Sequence, residues 1–478
     1  MAWLLERLQQ HAACHPDRIA LDGADQSLSY AGLVEAVEAL AARFVRQHVT
    51  CLALQGDNSH AWVVADLAAQ RAGCVVVPVP GFFSTGQVGH LYRQAAVDTV
   101  YDADRDVLLP CVQTVDGGGA VMPPATSKVT FTSGSTGQPK GVCLTLDHQR
   151  RTVMALAERL APHAGKRHLC VLPFATLLEN LAGIYLPLWL GAAVVVRPLA
   201  ELGFSGSSSV NPFLLFQTLN TVQPESMILV PELLRLLVLM ADKGLPVPDS
   251  LRYIAVGGGK VDPLLLGRAH RLGLPVYEGY GLSECGSVVA LNVPGDNRPG
   301  CAGRPLSHVQ LSVGDHGEIM INGGVMAGYL GEAPVNGAWA TGDLGVLDRE
   351  GFLRVSGRAK NLLITAYGRN VNPEWLESVF QTSDVLRSVV VFGDGEPALS
   401  AVLVAMPGAC RSQVAAAVAT LNEGLPDYAR IANWVLAGQP FSADNGLATA
   451  NGRPRREAIF QTYQAALSRT GHNQLAYS

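Results

Sequence analysis

The chain has 478 residues, of which 48% are hydrophobic and 16% are charged, so it is longer than one ordinary domain and can form large buried cores. This composition excludes an extended disordered chain. The 35 lysines and arginines against 40 aspartates and glutamates give a net charge of −5, which excludes a dominant nucleic-acid or anionic-membrane footprint.

The N-terminal residues 1–13 predict an amphipathic helix that lacks the basic start and apolar core of a signal peptide. The longest apolar run, 181–196, contains Gly183, Pro187 and Gly191 and is shorter than a membrane span. It therefore predicts a buried helix followed by a strand, and we expect no membrane span.

The nine cysteines occur singly, with no Cys-x-x-Cys pair, which predicts reduced thiols in a cytoplasmic protein. His60, His148, His163 and His168 lie near predicted helices or turns without a metal-ligand spacing. We interpret them as surface or packing residues and predict no structural metal.

The first 130 residues alternate between two patterns. Strand-like stretches at 49–54 and 74–79 alternate with apolar-periodic stretches at 30–44 and 60–72, and Ser29 is placed to cap the first helix. This alternation predicts a parallel sheet covered by helices.

Residues 129–142 are a strand-like approach followed by hydroxyl residues, glycines and a Pro-Lys-Gly. Hydroxyls, unhindered backbone N–H groups and an ammonium suit a polyphosphate, although the Walker A spacing is absent. The alternative is a flexible Ser/Gly linker, but linkers seldom place Pro-Lys-Gly after a β-branched strand. The predicted phosphate-binding residues are Thr132, Ser133, Gly134, Ser135, Thr136, Gly137 and Lys140.

Residues 169–183 predict a strand, a turn and an apolar helix. Such a segment suits the wall of a hydrophobic cavity, and it suits ordinary core packing equally well. Residues 205–209 predict a surface loop, and 228–240 predict a strand that enters a helix at Pro231.

Two further predicted strands end in glycine-containing turns, at 251–259 and 275–284. In open α/β sheets, ligands bind beyond the carboxyl ends of the strands. Backbone amides, an aromatic ring, a hydroxyl and a carboxylate there would suit a nucleotide and its Mg²⁺. The residues concerned are Gly257, Gly258, Gly259, Tyr280, Gly281, Ser283 and Glu284.

From Gly300 the pattern changes to short strands and turns, in which Asp343 could accept hydrogen bonds from ribose hydroxyls. We place a domain boundary at Lys360. The predicted fold is α/β: a large domain, 1–359, of parallel-type sheets with packed helices and a small β-subdomain, then a small mobile α+β domain, 360–478.

These motifs together resemble those of the adenylate-forming (ANL) superfamily, which includes acyl- and aryl-CoA synthetases, acyl-AMP ligases and stand-alone adenylation enzymes. Four matches occur in order, and a weaker fifth follows near the C-terminus. They lie at 132–141, 280–284, 341–343, 357–361 and 441–456.

The resemblance implies two half-reactions. A carboxylic acid attacks Mg²⁺-bound ATP to give an acyl-adenylate and pyrophosphate, and a phosphopantetheine thiol of CoA or an acyl or aryl carrier protein then displaces AMP. Closure of the small domain about a hinge would exclude water from the adenylate.

The resemblance also implies residue roles. Ser133, Ser135, Thr136 and Lys140 would bind the β- and γ-phosphates, and Ser283 the α-phosphate. Tyr280 would stack on adenine, Glu284 would hold Mg²⁺, Asp343 and Arg358 would bind ribose, and Lys360 would be the hinge. The implied acid pocket contains Phe174, Thr176, Leu177, Gly258 and Gly281.

This sequence departs from the family pattern at three positions. The catalytic lysine position of the family carries Arg453, which keeps the charge but is bulkier. Asn361 replaces a common aspartate, and Thr176 stands where an aromatic or histidine gate is usual. No aspartate is placed to hold an α-ammonium, so we expect an apolar fatty or aryl acid.

Two functions follow from these observations. One is an ATP-dependent acid–thiol ligase, in which Lys140, Ser283, Glu284 and Arg453 act catalytically. The other is a degenerate adenylate-binding protein with weak or no turnover, because of Arg453. A carrier-protein acceptor is credible since the basic stretch 453–456 could meet an acidic partner.

Overall fold

A computed structural model of the protein describes residues 3–111, 120–132, 139–205, 209–366, 369–449 and 452–474. The first elements in chain order are α1 (Trp3–Cys14), β1 (Ile19–Asp22), β2 (Ser27–Ser29), α2 (Tyr30–Arg46), β3 (Cys51–Gln55), α3 (His60–Ala72), β4 (Val75–Pro78), α4 (Thr85–Gln94), β5 (Thr99–Asp102), β6 (Val107–Pro110), β7 (Thr126–Thr132), β8 (Lys140–Thr145), α5 (Leu146–Leu160), β9 (Arg167–Leu169), a π-helix (Glu179–Tyr185), α6 (Leu186–Leu190), β10 (Ala193–Val195) and β11 (Phe204–Ser205).

The middle of the chain continues with β12 (Ser209–Val210), α7 (Pro212–Val222), β13 (Ser226–Leu229), α8 (Pro231–Asp242), β14 (Tyr253–Val256), α9 (Pro263–Arg271), β15 (Val276–Tyr280), β16 (Ala290–Leu291), β17 (Arg304–Pro305), β18 (Gln310–Val313), β19 (Glu318–Asn322), β20 (Gly328–Tyr329), β21 (Trp339–Leu347) and β22 (Leu353–Arg358). The last elements are β23 (Leu363–Ile364), β24 (Asn370–Val371), α10 (Pro373–Phe380), β25 (Leu386–Phe392), β26 (Leu399–Ala405), α11 (Arg411–Glu423), β27 (Ile431–Leu436) and α12 (Arg456–Gln474).

Two large mixed sheets organise the first part of the chain. One has the order β20-β8-β7-β4-β3-β5-β6, and the other has the order β17-β16-β15-β14-β13-β9-β10-β1-β2. Their inner strands are parallel, as in β4-β3-β5 and β9-β13-β14-β15, and antiparallel strands close their edges. The predicted α/β class with helices packed on parallel strands is confirmed.

The helices that cover these sheets begin and end where the sequence provides caps. The Ser29 side chain accepts a hydrogen bond from the Gly32 amide at the start of α2, as predicted, and Ser59 does the same for α3. Gly73 ends α3 in a left-handed conformation that a residue with a Cβ adopts only at a cost. The helix predicted at 60–72 therefore begins and ends at capping residues that are next to it in the sequence.

The last third of the chain is built from smaller sheets. A four-stranded sheet, β18-β19-β21-β22, follows the large sheets, and β25-β26-β27 form a three-stranded sheet covered by α10, α11 and α12. The buried clusters that hold this last sheet together contain residues from Leu363 onward, whereas the other clusters contain residues up to Leu353. The division at residue 360 stays a prediction, and this separation of cores favours it.

Two local predictions differ from the structure. The predicted loop at 205–209 contains the ends of β11 and β12, which pair as a short antiparallel ribbon because Phe204 and Val210 can pack on the core. The apolar helix predicted within 169–183 is a π-helix, Glu179–Tyr185.

In the part of the chain that the structure describes, no helix is both long and apolar enough to cross a bilayer.

Candidate active site

The two predicted glycine turns lie side by side. β14 and β15 are parallel neighbours in which Val256 pairs with Glu278, so Gly257 and Gly281 follow strands that end at one edge of the sheet. Gly281 is required there, because a Cβ on it would lie 1.9 Å from the Ser287 carbonyl oxygen. The turn can therefore fold tightly beside the sheet edge and leave its backbone open to a ligand.

Asp343 brings together two other residues that the sequence singled out. Its carboxylate accepts a hydrogen bond from the Tyr280 hydroxyl at 2.7 Å and pairs with the Arg358 guanidinium at 2.8 Å. Arg358 lies directly opposite Asp343 in the β21–β22 pair. Burial raises the pKa of Asp343, and Arg358 opposes that rise. This paired carboxylate is fixed beside the end of β15.

Arg453 reaches the same place from the far end of the chain. Its guanidinium donates a hydrogen bond to the Gly258 carbonyl oxygen at 2.6 Å. The backbone around it is held by two bonds with Thr449, one in each direction. Withdrawal from water lowers the pKa of Arg453, Arg358 lowers it further, and the carboxylates of Asp343 and Glu284 oppose the shift. The basic side chain is thus directed at the cleft formed by the strand ends at Gly258 and Tyr280 and by Asp343, and it is not a free tail residue.

The small C-terminal part is also anchored away from the cleft. Arg235 on α8 donates hydrogen bonds to the carbonyl oxygens of Ser383, at 2.8 Å, and Leu386, at 2.6 Å. Ser383 lies in the turn between α10 and β25, and Leu386 is the first residue of β25. Arg235 and Arg453 therefore connect the two parts of the chain at separate points, and together they orient the last sheet toward the cleft.

Glu284 lies in a short 3₁₀ turn, Ser283–Cys285, immediately after β15. Its Oε1 accepts a hydrogen bond from the Tyr329 hydroxyl at 2.7 Å, and burial together with Glu284 raises the pKa of Tyr329. Sequence reasoning missed Tyr329, because nothing in a Gly-Tyr pair on a short edge strand marks it as a partner of a residue 45 positions away.

Lys140 begins β8 directly opposite Thr132 at the end of β7. Its ammonium lies 3.1 Å from Glu332 and 4.8 Å from the centre of the Tyr329 ring. Lys140 and Glu284 therefore share Tyr329 as a neighbour, which places the end of the predicted phosphate loop beside the predicted metal residue. The loop residues Ser133, Gly134, Ser135, Thr136 and Gly137 lie outside the described residues.

The proposed hinge residue, Lys360, is exposed within a 3₁₀ turn, Ala359–Asn361, between β22 and β23. The side-chain amide of Asn361 donates a hydrogen bond to Glu374 on α10. Asn361 therefore ties the connection to the C-terminal part, and Lys360 stays accessible to solvent.

An apolar cavity opens at this site. Gly257, Gly258, Tyr280 and Gly281 line its mouth, and His168 and Ser226 are polar residues deeper in it. Most of the other lining residues are apolar, and they include Leu156, Leu160, Leu178, Ala182, Leu186, Met227, Ile228, Tyr253, Val256 and Leu291.

The cavity contains only part of the pocket that the sequence implied. Gly258 and Gly281 line it, but Phe174, Thr176 and Leu177 are not among its lining residues. The buried Phe174 ring packs against Trp62 at 5.5 Å, and Leu178 and Ala182 form the wall in place of these three residues. The role of Phe174, Thr176 and Leu177 in the pocket stays a prediction.

Comparison with known proteins was made on the sequence and on the fold. Residues 8–330 match the family described as AMP-binding enzyme, and residues 360–472 match the AMP-binding enzyme C-terminal domain. A 2-succinylbenzoate–CoA ligase of Bacillus subtilis is 26% identical over 82% of this chain and 84% of its own length. An indoleacetate–CoA ligase of Aromatoleum aromaticum is 26% identical over 96% and 98%.

Solved structures agree in fold. An anthranilate CoA ligase in complex with anthranoyl-AMP superposes with a TM-score of 0.82 over 97% of this chain and 98% of its own, at 15% identity. The two family matches place the chain in the adenylate-forming superfamily. The chain belongs to the AMP-binding enzyme family of that superfamily.

Proposed function

We propose that this protein is an acid–thiol ligase that activates an apolar carboxylic acid with ATP and transfers the acyl group to CoA. A carboxylate oxygen attacks the α-phosphorus of ATP, and the bond to pyrophosphate breaks. The thiol sulfur then attacks the acyl carbon, and the carbon–oxygen bond to AMP breaks. One observation carries the proposal: Gly257, Gly258, Tyr280 and Gly281 form the mouth of the apolar cavity beside Arg453 and beside the Asp343–Arg358 pair.

The basic side chains would act on the charge of the phosphates. Arg453 and Lys140 stand on two sides of the Glu284 region, and neither is neutralised by a buried carboxylate of its own. Preorganised cations stabilise negative charge that develops on phosphate oxygens in the transition state. Arg453 also comes from the C-terminal part, so its approach would exclude water from a hydrolysable adenylate.

Glu284 is the residue that would hold Mg²⁺. One of its oxygens accepts the Tyr329 hydrogen bond, and a carboxylate keeps further lone pairs for a hard cation. Mg²⁺ usually binds through one or two carboxylates together with substrate phosphates, which fits a single half-buried glutamate near Lys140. The ion would offset charge on the phosphates of ATP.

Replacing Tyr329 by phenylalanine is expected to weaken this site. The substitution removes the donor that orients Glu284 and leaves the ring beside Lys140 in place. Loss of a partner that orients a metal ligand typically costs about 10–100-fold in metal affinity or activity. The Mg²⁺ concentration for half-maximal activity should rise accordingly, whereas Tyr428→Phe at an exposed position should leave it unchanged.

The acid is proposed to be aryl or fatty. None of the described residues that line the cavity is lysine, arginine, aspartate or glutamate. A second charged group on the acid would therefore lose its water there without gaining an ionic partner. The relatives named above are ligases of 2-succinylbenzoate and indoleacetate, and both acids carry a ring. An aryl acid is therefore the first class to test.

CoA is proposed as the acceptor in preference to a carrier protein. The relatives named above are CoA ligases, and the basic stretch 453–456 is not free to form a docking surface. Arg453 is directed into the cleft, Arg455 donates to the Gly446 carbonyl, and Arg456 pairs with Glu377 at 2.8 Å. These contacts leave the stretch fewer basic groups to offer an acidic protein partner, which favours CoA.

A pyrophosphate-release assay tests the proposal. The protein is incubated with ATP, Mg²⁺ and a panel of benzoate, phenylacetate, cinnamate, octanoate and decanoate, and the products with CoA or holo carrier protein are read by mass. At least one acid should give release that Lys140→Ala lowers about 10²-fold, while Lys243→Ala at an exposed helix end has no effect. If, with every acid, the wild-type protein releases no more pyrophosphate than Lys140→Ala does, the degenerate adenylate-binding protein is favoured.

A further inference from the structure

The cavity has a polar floor. His168, Ser226 and Tyr253 are paired across β9, β13 and β14, so they lie at one level of the sheet. Gly257 at the mouth is four residues further along the chain from Tyr253, about 13 Å at the usual strand rise. His168 and Ser226 are therefore at the opposite end of the cavity from the nucleotide-binding edge.

The hydrogen-bonding capacity of this floor is only partly used. His168 Nδ1 and Ser226 Oγ are 3.0 Å apart, and the two residues are 5% and 3% exposed. His168 Nε2 has no hydrogen-bond partner within the described part of the chain, but it is buried 3.9 Å from Glu179, which does not line the cavity, so the histidine serves to orient Ser226. A serine hydroxyl can donate one bond and accept two, so Ser226, which lines the cavity, keeps capacity beyond its bond to His168.

The floor is polar but uncharged near neutral pH. Burial lowers the pKa of His168 to about 3 and raises the pKa of Glu179 behind it to about 8. Neutral groups in an apolar cavity pair best with a neutral hydrogen-bonding group. A second carboxylate would meet no cation among the described lining residues.

We propose that Ser226 and His168 select a carboxylic acid that carries an uncharged hydroxyl at the end opposite its carboxylate. This inference rests on the proposed function, since it takes the cavity as the acid pocket. The Ser226 hydroxyl, held by His168 at the cavity wall, favours an acid whose hydroxyl bonds to it and penalises an analogue that lacks this group. The same floor would reject α,ω-dicarboxylic acids.

A metal ion is the competing occupant. His168, Cys170 and Glu179 have ligand atoms within 4.8 Å of one another. Burial raises the pKa of both the Cys170 thiol and Glu179, which disfavours the anionic forms that a metal needs.

Matched acid pairs test the inference. Pyrophosphate release is measured with 4-hydroxycinnamate against cinnamate and with 10-hydroxydecanoate against decanoate. The wild type should prefer the hydroxylated member of at least one pair by about tenfold or more in kcat/KM. Ser226→Ala should reduce that preference to about twofold or less with little change for the plain acid, and Ser312→Ala on an exposed strand position should not alter it.

Binding without turnover separates this inference from the proposed function. Melting of the protein is followed with each acid pair in the absence of ATP, because a ligand that binds the folded state raises the Tm. If no acid releases pyrophosphate, the proposed function fails, and a hydroxyl-dependent rise in Tm that Ser226→Ala removes still supports the polar floor. Equal binding and turnover of both members of each pair would overturn the inference, as would stoichiometric zinc in the purified protein.

Discussion

Replacing Arg453 by alanine is expected to lower kcat/KM for acid-dependent pyrophosphate release by about 10²–10³-fold. Its guanidinium donates to the Gly258 carbonyl at the cavity mouth and interacts electrostatically with Asp343 and Glu284. Removing it deletes a cation where negative charge develops during attack on the α-phosphorus. KM for the acid should change less than kcat, because this charge is greatest in the transition state.

Two matched variants make this expectation specific. Arg453→Lys should keep or raise adenylation, since lysine preserves the charge and is the usual residue at this position in the family. Arg455→Ala removes an arginine of the same stretch whose bond goes to the Gly446 carbonyl, and it should leave kcat unchanged. A large loss of adenylation activity in Arg453→Lys would mean that the several N–H donors of the guanidinium are required, and not only its charge. Full activity in Arg453→Ala would remove this residue from the catalytic set.

Most of the candidate site could be predicted because its parts follow strands. Gly257 follows β14, Tyr280 ends β15 and Glu284 comes shortly after it, and the topology of a parallel sheet brings such strand ends to one edge. Asp343 and Arg358 are cross-strand partners, which alternation in a hairpin makes foreseeable. Local patterns carry this information because each residue is positioned by the strand that precedes it.

The residues that could not be predicted depend on contacts between distant elements. Tyr329 meets Glu284 because β20 pairs with β8, and no short-range signal fixes that pairing. The contact of His168 with Ser226 requires β9 to lie beside β13, and no short-range pattern fixes that order for two residues 58 positions apart. The π-helix has the composition of an ordinary apolar helix, so periodicity could not distinguish it.

A second large effect is expected at Lys128, in the middle of β7. This lysine is fully buried, and its ammonium contacts Asp66 on α3 at 2.9 Å, with Asn180 and Tyr185 of the π-helix beside it. Asp66 in turn accepts hydrogen bonds from both Asn180 and Tyr185. The network therefore joins the strand that leads into the predicted phosphate loop to the helix whose residue Ala182 lines the cavity.

Lys128→Met is expected to lower the free energy of unfolding by about 3–5 kcal/mol, because it leaves Asp66 buried and charged without its partner. Urea denaturation measures the loss, and Lys166→Met at an exposed position is the matched control. Adding Asp66→Asn to Lys128→Met should restore part of the stability, since the uncompensated charge is then gone. A loss below about 1 kcal/mol would show that the ion pair contributes little and that the network is held by its other hydrogen bonds. In either case the double variant should regain more of its stability than of its activity, because methionine cannot make the hydrogen bonds through which Lys128 holds Asn180 and Tyr185 beside β7.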